Sequence, residues 1–285
     1  MDVNALHNLS QEIGIFFYTS LHHHDILESQ RFRQEILLAQ HIQQSLLPQN
    51  PPQIEGLALA GLYIPSREIG GDYYDFILKE TGLLTSVEKG VYIVIGDVSG
   101  KGLDAGFIVS SVKSFLTSLI KFCDSPKEIL GMVNRDIYNS LRQQKFISLL
   151  LLNYISFDGK MRYSSAGHER ILIARQENRG KKEEIEILVS GGVILGMIEE
   201  IEFYLEEREI ELERGDKILL YTDGATEARS PEGEMYGLGR LVESFRRHSE
   251  LRVEEMVNRV YQDIRDFIST YPQYDDITLV GIEKE

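Results

Sequence analysis

The stretch VYIVIGDVSGKGLDAG, Val91 to Gly106, governs how the rest of the chain is read. Val91-Tyr92-Ile93-Val94-Ile95 is an unbroken apolar run of β-branched and aromatic residues, the pattern of a strand buried on both faces. It hands over to Gly96-Asp97. Gly96, Gly100 and Gly102 then allow a tight turn and close approach of the backbone to a ligand. From Ala105 to Ile120 the text is helical. A buried strand that closes on an acid needs something to offset the desolvation of that acid, and a metal ion does this well. The stretch is not a P-loop: three residues, not four, separate Gly96 from Gly100, and Lys101 is followed by Gly102 where Ser or Thr is required.

Three other places put an acid at the edge of an apolar strand: Asp72 in GGDYYD, Asp223 in YTDG, and Asp275-Asp276 in DDIT. Acids beside glycine are common in turns, so any one of these is weak on its own. Four together point to a centre for hard divalent cations, which take carboxylate oxygens in preference to thiols. A phosphate ester resists hydrolysis because its own charge repels the nucleophile. Two such cations, about 3.5–4 Å apart, answer this by clamping a water and lowering its pKa. Spacing alone does not show that the four acids converge.

Composition is that of a soluble globular chain: 285 residues, 42% hydrophobic and 26% charged. Forty-five acids against thirty bases give a net charge of −15, which argues against a nucleic-acid partner. The single cysteine, Cys123, rules out an internal disulfide and a cysteine-based zinc site. It reads as a small core residue. Met1 to Leu9 lacks the basic start and apolar core of a secretory signal, and no apolar run approaches a membrane span. A reducing cytoplasm is the expected compartment, with no membrane partner.

Residues 1 to about 47 read as one long helix, free of proline before Pro48. Its apolar positions recur at mixed three- and four-residue steps, and Gln30, Gln34 and His41 break any strict heptad. A dimer arm and packing on its own domain are equal readings. His22-His23-His24 reads as a solvated or interface cluster, because neighbours on a helix do not share a face. Pro48, Pro51 and Pro52 mark the one clear boundary, between segment 1–47 and domain 48–285.

Beyond it come strands at Leu57–Ile64, after Phe76, and at Val91–Ile95. Helices follow at Ala105–Lys121 and Pro126–Arg142, the second capped by Ser125. Ile147–Phe157 and Lys160–Ser165 form a hairpin about Asp158-Gly159. Arg170–Ala174, Ile201–Leu212 and Asp216–Thr222 read as strands, with Glu177 to Glu186 a charged turn. Leu238–Arg247 and Val253–Ser269 read as helices, and Ile277–Glu283 as the last strand. Antiparallel hairpins interrupted by pairs of helices give an α+β class, a two-sheet core with helices outside. His168 in SSAGH reads as a structural histidine orienting a turn, and Arg67 as either a phosphate contact or a solvated side chain.

GGDYYD, GDVSGKG, YSSAGH, Leu195-Gly196, LYTDGATEA and DDITLV, in that order, together resemble the SpoIIE/RsbU branch of the PPM, or type 2C, serine/threonine phosphatases. The helix end QQSLLP resembles that branch too, and the likeness runs from about residue 36 to 283. It implies an αββα sandwich of two antiparallel sheets holding two Mn²⁺ or Mg²⁺ ions. It implies hydrolysis of phosphoserine or phosphothreonine by a metal-bound water, without a phosphoenzyme. Asp97 matches the acid that bridges both metals, and Val98 would lend a backbone carbonyl. Asp72 matches the acid of the first motif, Asp223 the TDG ligand, and the Asp275-Asp276 pair the last ligand position, with Asp275 favoured. Asp97 and Asp223 would be the residues on which turnover depends.

The resemblance implies as substrate a phosphorylated STAS-domain anti-sigma-factor antagonist in partner-switching signalling. It also implies an upstream sensor or activator acting through the N-terminal helix, which dimerises. The sequence opens directly on that helix, so the input is expected from a separate partner or from a longer parent chain. Asp104 and Gly106 stand where the family usually has Pro and Ala, and Glu169 where it has Asn; these touch loops and not the acids. The alternative reading is a pseudophosphatase, a binding module without turnover. A coiled-coil adaptor is disfavoured by the imperfect heptads.

Overall fold

The computed structural model describes residues 3–81, 88–141, 145–155, 160–176 and 185–285. The chain order is α1 (Val3–Leu46), β1 (Leu57–Ile64), β2 (Asp72–Thr81), β3 (Glu88–Val98), α2 (Leu103–Leu119), α3 (Pro126–Leu141), β4 (Ile147–Ile155), β5 (Lys160–Ala166), β6 (Ile171–Ala174), β7 (Glu186–Leu188), β8 (Glu207–Glu211), β9 (Lys217–Tyr221), α4 (Asp223–Glu227), α5 (Gly237–His248), α6 (Val253–Ile268) and β10 (Ile277–Lys284). Two five-stranded antiparallel sheets form, ordered β1-β10-β9-β6-β7 and β2-β3-β4-β5-β8. Helices α2 and α3 cover the second sheet, and α5 and α6 cover the first. This is the expected αββα sandwich.

Strand periodicity sorts the core. On β10, Val280 and Ile282 face the other sheet, while Ile277 and Leu279 face the α5–α6 layer. On β9, Ile218 and Leu220 face inward, and Leu219 and Tyr221 outward. By the same period of two, Thr222 and Thr278 fall on the inner face at one end of this sheet. Val91 to Ile95 are wholly buried, as a strand sandwiched between a helix layer and a second sheet must be. The predicted cap is also in place: the Glu128 amide donates to Ser125 Oγ at 3.2 Å.

Some expectations need correction. β2 begins at Asp72 itself, because Tyr73, Tyr74 and Phe76 are all buried and pair with β3. Ile201–Leu212 is not one strand; only Glu207–Glu211 is, as edge strand β8. Ile201 and Leu205, four apart, both enter the core from a turn closed by the Tyr204 amide on the Ile201 carbonyl. That spacing suits a turn and not an alternating strand. β7 arises at the end of the stretch read as a charged turn. Asp223 does not merely end β9 but opens the short helix α4. Asp158-Gly159, most of the charged turn, and the side chains of His22-His23-His24 lie outside the described residues.

The C-terminal end of α1 is packed into the domain. Leu47 joins the main core, and Gln43 is buried. Its Nε2 donates to the Gly70 carbonyl at 2.8 Å, and its Oε1 accepts from the Gly70 amide at 3.2 Å. Further up, Ile26, Leu27, Phe32, Leu37, Leu38 and Ile42 are exposed.

Candidate metal centre

The register of β2 on β3 sets Asp72 directly opposite Asp97. Opposed residues of an antiparallel pair share a face, so two carboxylates stand side by side, an arrangement that destabilises a sheet unless something offsets it. Asp72 is anchored from the other sheet. Its Oδ2 accepts from Thr222 Oγ1 at 2.7 Å and from Thr278 Oγ1 at 2.6 Å. Asp223 follows Thr222 directly, and Asp275 precedes the start of β10. The end of β3, the start of α4 and the start of β10 therefore bring Asp97, Asp223 and Asp275 to the same end of the sandwich. Asp97 and Asp223 share a cleft of about 250 Å³ with Ser148, His168, Glu169 and Ile194.

The electrostatics report the crowding. Burial, then Asp223, Asp275 and Asp276, push the Asp97 carboxyl up to about 7. Burial, Asp275, Glu227 and Glu169 push Asp223 up to about 6. Burial and Asp97 push Asp72 well above the usual carboxylate range, with the two threonine hydroxyls acting against this. A raised folded-state pKa means that the folded protein holds protons the unfolded chain has released. The resulting stability is fully present below the unfolded Asp value of about 3.9 and is lost as pH rises through about 6 to 7. In EDTA, the melting temperature should therefore fall between pH 5 and pH 8. A flat or rising profile in differential scanning fluorimetry would contradict this account.

The two neighbouring aspartates behave differently. Asp276 is buried, and both its oxygens are taken. Oδ1 accepts from the Ser66 amide at 2.7 Å and its hydroxyl at 2.9 Å; Oδ2 accepts from the Gly71 amide at 2.7 Å and, more weakly, from the Asp72 amide at 3.4 Å. It staples the β1–β2 loop. Asp275 is more open: its Oδ1 accepts from the Asp276 amide at 2.9 Å and lies 2.9 Å from Lys101 Nζ. In the sequence Lys101 bears only on the P-loop question, and nothing there places it beside Asp275. Thr222, Thr278, Ser66 and Gln43 are likewise absent from the sequence-based set. The signal for the threonines is their position beside an acid in YTDG and DDIT.

His168 lines the cleft and keeps its structural role. Its Nδ1 lies 3.0 Å from Ser148 Oγ, its amide donates to Ser165 Oγ at 3.2 Å, and its carbonyl accepts from Ser190 Oγ. Burial pulls its pKa down to about 4, so it is neutral at pH 7. Arg67 is exposed on the Pro65–Gly71 loop. Asp75 is drawn away from the cleft, into an ion pair with Lys113 of α2.

The donors suit a hard cation in kind, being carboxylate and carbonyl oxygens. Gly71 leaves the room: a Cβ there would lie 2.8 Å from the carbonyls of Val98 and Gly100 and 3.2 Å from Asp97 Oδ1. Among the described residues, no three acid, histidine or cysteine side chains already stand as one ligand set.

Residues 88–285 match the family described as Stage II sporulation protein E (SpoIIE). The chain belongs to the SpoIIE family. The match takes in β3 to β10, and with them Asp97, Asp223 and Asp275. The phosphoserine phosphatase RsbU of Bacillus subtilis (strain 168) is 28% identical over 278 residues, covering 96% of this chain and 78% of RsbU. Among solved structures, the SiaA-PP2C domain of Pseudomonas aeruginosa superposes with a TM-score of 0.72 at 18% identity, over 90% of this chain and 98% of that domain. RsbX in complex with magnesium superposes with a TM-score of 0.58 at 15% identity, over 83% of this chain and 99% of RsbX. This SpoIIE-family chain thus carries the fold of a PP2C-type protein serine/threonine phosphatase.

Proposed function

We propose that the chain hydrolyses phosphoserine or phosphothreonine in a protein at a centre of two Mn²⁺ or Mg²⁺ ions. Asp72, Asp97, the Val98 carbonyl, Asp223 and Asp275 would be the ligands. The observation that carries this reading is the delivery of Asp97, Asp223 and Asp275 from three separate element ends, with Asp72 paired to Asp97 beneath them. When bound, the two ions supply an activated water and offset the charge of the phosphate. The chain's own residues do the rest. Asp97 would hold both ions, and Asp72, oriented by Thr222 and Thr278, would hold one from the facing strand. Asp276 acts as the loop staple, which leaves Asp275 as the ligand of the pair. His168, buried beside Ser148 and Ser165, shapes the wall of the cleft.

The substrate of this reading is a phosphorylated STAS-domain anti-sigma-factor antagonist, in keeping with the likeness to RsbU. At a net charge of −15 the enzyme repels acidic phosphopeptides, so recognition rests on a docking surface of a folded substrate. Residues 1–47 serve as the regulatory and dimerising arm of the 48–285 phosphatase domain, receiving an upstream sensor or activator in the cytoplasm. Two facts support the arm: its exposed apolar residues, and the hydrogen bonds that tie Gln43 to Gly70, next to the Gly71 cradle. A chain that stays monomeric at high concentration in light scattering would sink the dimer.

The direct test is hydrolysis of p-nitrophenyl phosphate with Mn²⁺, with Mg²⁺ and with EDTA, for the full chain and for a version beginning at Pro48. Turnover with metal and none with EDTA is expected. The shorter version, lacking Gln43 and Leu47, should differ several-fold from the full chain. No turnover together with no metal binding by calorimetry would favour the pseudophosphatase.

A further inference from the structure

We propose that Lys101 is the resident counter-ion of the acid cluster, a cation that must yield Asp275 to a divalent ion, so that this one side chain sets how tightly the centre loads. The inference rests on the metal-centre reading above. Lys101 Nζ lies 2.9 Å from Asp275 Oδ1, and the same ammonium donates to the Tyr274 carbonyl. The side chain is about one-fifth exposed and Asp275 about one-third. Lys101 springs from the turn between β3 and α2, flanked by Gly100 at φ 93° and Gly102 at φ 92°. Glycine on both sides lets the chain turn tightly there, which sets Lys101 beside Asp275, just past the end of β3 that carries Asp97.

Among the described residues, the ion pairs put no second cation on Asp72, Asp97, Asp223 or Asp275. Lys145 instead donates to the Ser99 carbonyl at 3.2 Å and braces the turn. Lys101 is also the cation that works against the raised pKa of Asp97. An ammonium and a divalent ion on one carboxylate repel each other in a half-buried cleft. The lysine has the longer reach and the flexible stem, so it can swing out while the acids stay. Charge at position 101 thus steadies the unloaded protein and weakens its grip on metal.

The test uses the full chain stripped with EDTA, titrated with Mn²⁺ by calorimetry and melted with and without Mn²⁺, as wild type, Lys101→Gln and Lys101→Arg. Lys101→Gln should bind Mn²⁺ at least tenfold more tightly, melt lower in EDTA, and gain more from Mn²⁺ than wild type. Lys101→Arg, which keeps the charge, should not tighten. Equal or weaker binding by Lys101→Gln would overturn the proposal and make the lysine an organiser of Asp275. A wild type that takes up no Mn²⁺ would overturn the metal-centre reading itself, and the lysine proposal with it.

Discussion

Asp97→Asn should cost roughly 10³-fold or more in metal-dependent turnover, and it should raise the melting temperature of the metal-free protein. The two signs come from one fact. Asp97 faces Asp72 across β2–β3 and feels Asp223 and Asp275, so with no metal ion bound its charge opposes folding, and Lys101 offsets this only in part. Asparagine keeps the shape and removes that charge. Relief of about 1 kcal/mol corresponds to an increase of about 2–4 °C in a domain of this order of size. Asp223→Asn should behave alike, since Asp223 is raised by the same kind of crowding. A loss of both activity and stability would mean that Asp97 is a structural residue. Retention of activity within tenfold would remove it from the centre.

The neighbouring pair divides along the same line. Asp275→Asn should follow Asp97→Asn, with activity lost and the fold kept. Asp276→Asn should instead lower the melting temperature, because charge-assisted bonds from Ser66 and the Gly71 amide are weakened. Such bonds contribute about 1.5–3 kcal/mol each. Adjacent residues of the same type are thus separated by the direction in which stability moves.

Much of this architecture is legible in the sequence. The apolar run Val91–Ile95, the Asp-Gly and Gly-Asp edges, and the helical periods fix which elements form and which acids sit at their ends. Strand pairing across the molecule is not legible there. That Asp72 opposes Asp97 is a matter of register between β2 and β3, and no local pattern states it. That Thr222 and Thr278 converge on Asp72 depends on two strands, β9 and β10, that are far apart in sequence and adjacent in one sheet. Asp275 and Asp276 are alike as letters; the resemblance favours Asp275, and the hydrogen bonds show in physical terms how the two differ. β8 reads too long in the sequence because Ile201 and Leu205 carry apolar character into a turn, where burial and not alternation places them.

Gly71→Ala carries the second large effect, and it tests the cradle and not the acids. A Cβ at Gly71 would sit 2.8 Å from the Val98 and Gly100 carbonyls and 3.2 Å from Asp97 Oδ1. The residue cannot retreat: its amide donates to Asp276 Oδ2 at 2.7 Å, and its carbonyl accepts from the Val98 amide at 3.1 Å. The new methyl must therefore push on the end of β3, which carries two of the proposed ligands. Overpacking of this kind costs about 1–3 kcal/mol, so the melting temperature should drop by several degrees. Mn²⁺ affinity should fall at least tenfold, and turnover about a hundredfold.

Gly281→Ala is the control for plain destabilisation. Its Cβ would meet Val257 Cγ2 at 2.6 Å and Val253 Cγ2 at 2.7 Å, between β10 and α6 and away from the acids. It should melt lower yet bind Mn²⁺ as wild type does. Equal loss of Mn²⁺ affinity in both variants would mean that loading follows global stability. Wild-type affinity in Gly71→Ala would mean that the Val98 carbonyl and Asp97 are not where the metal is held.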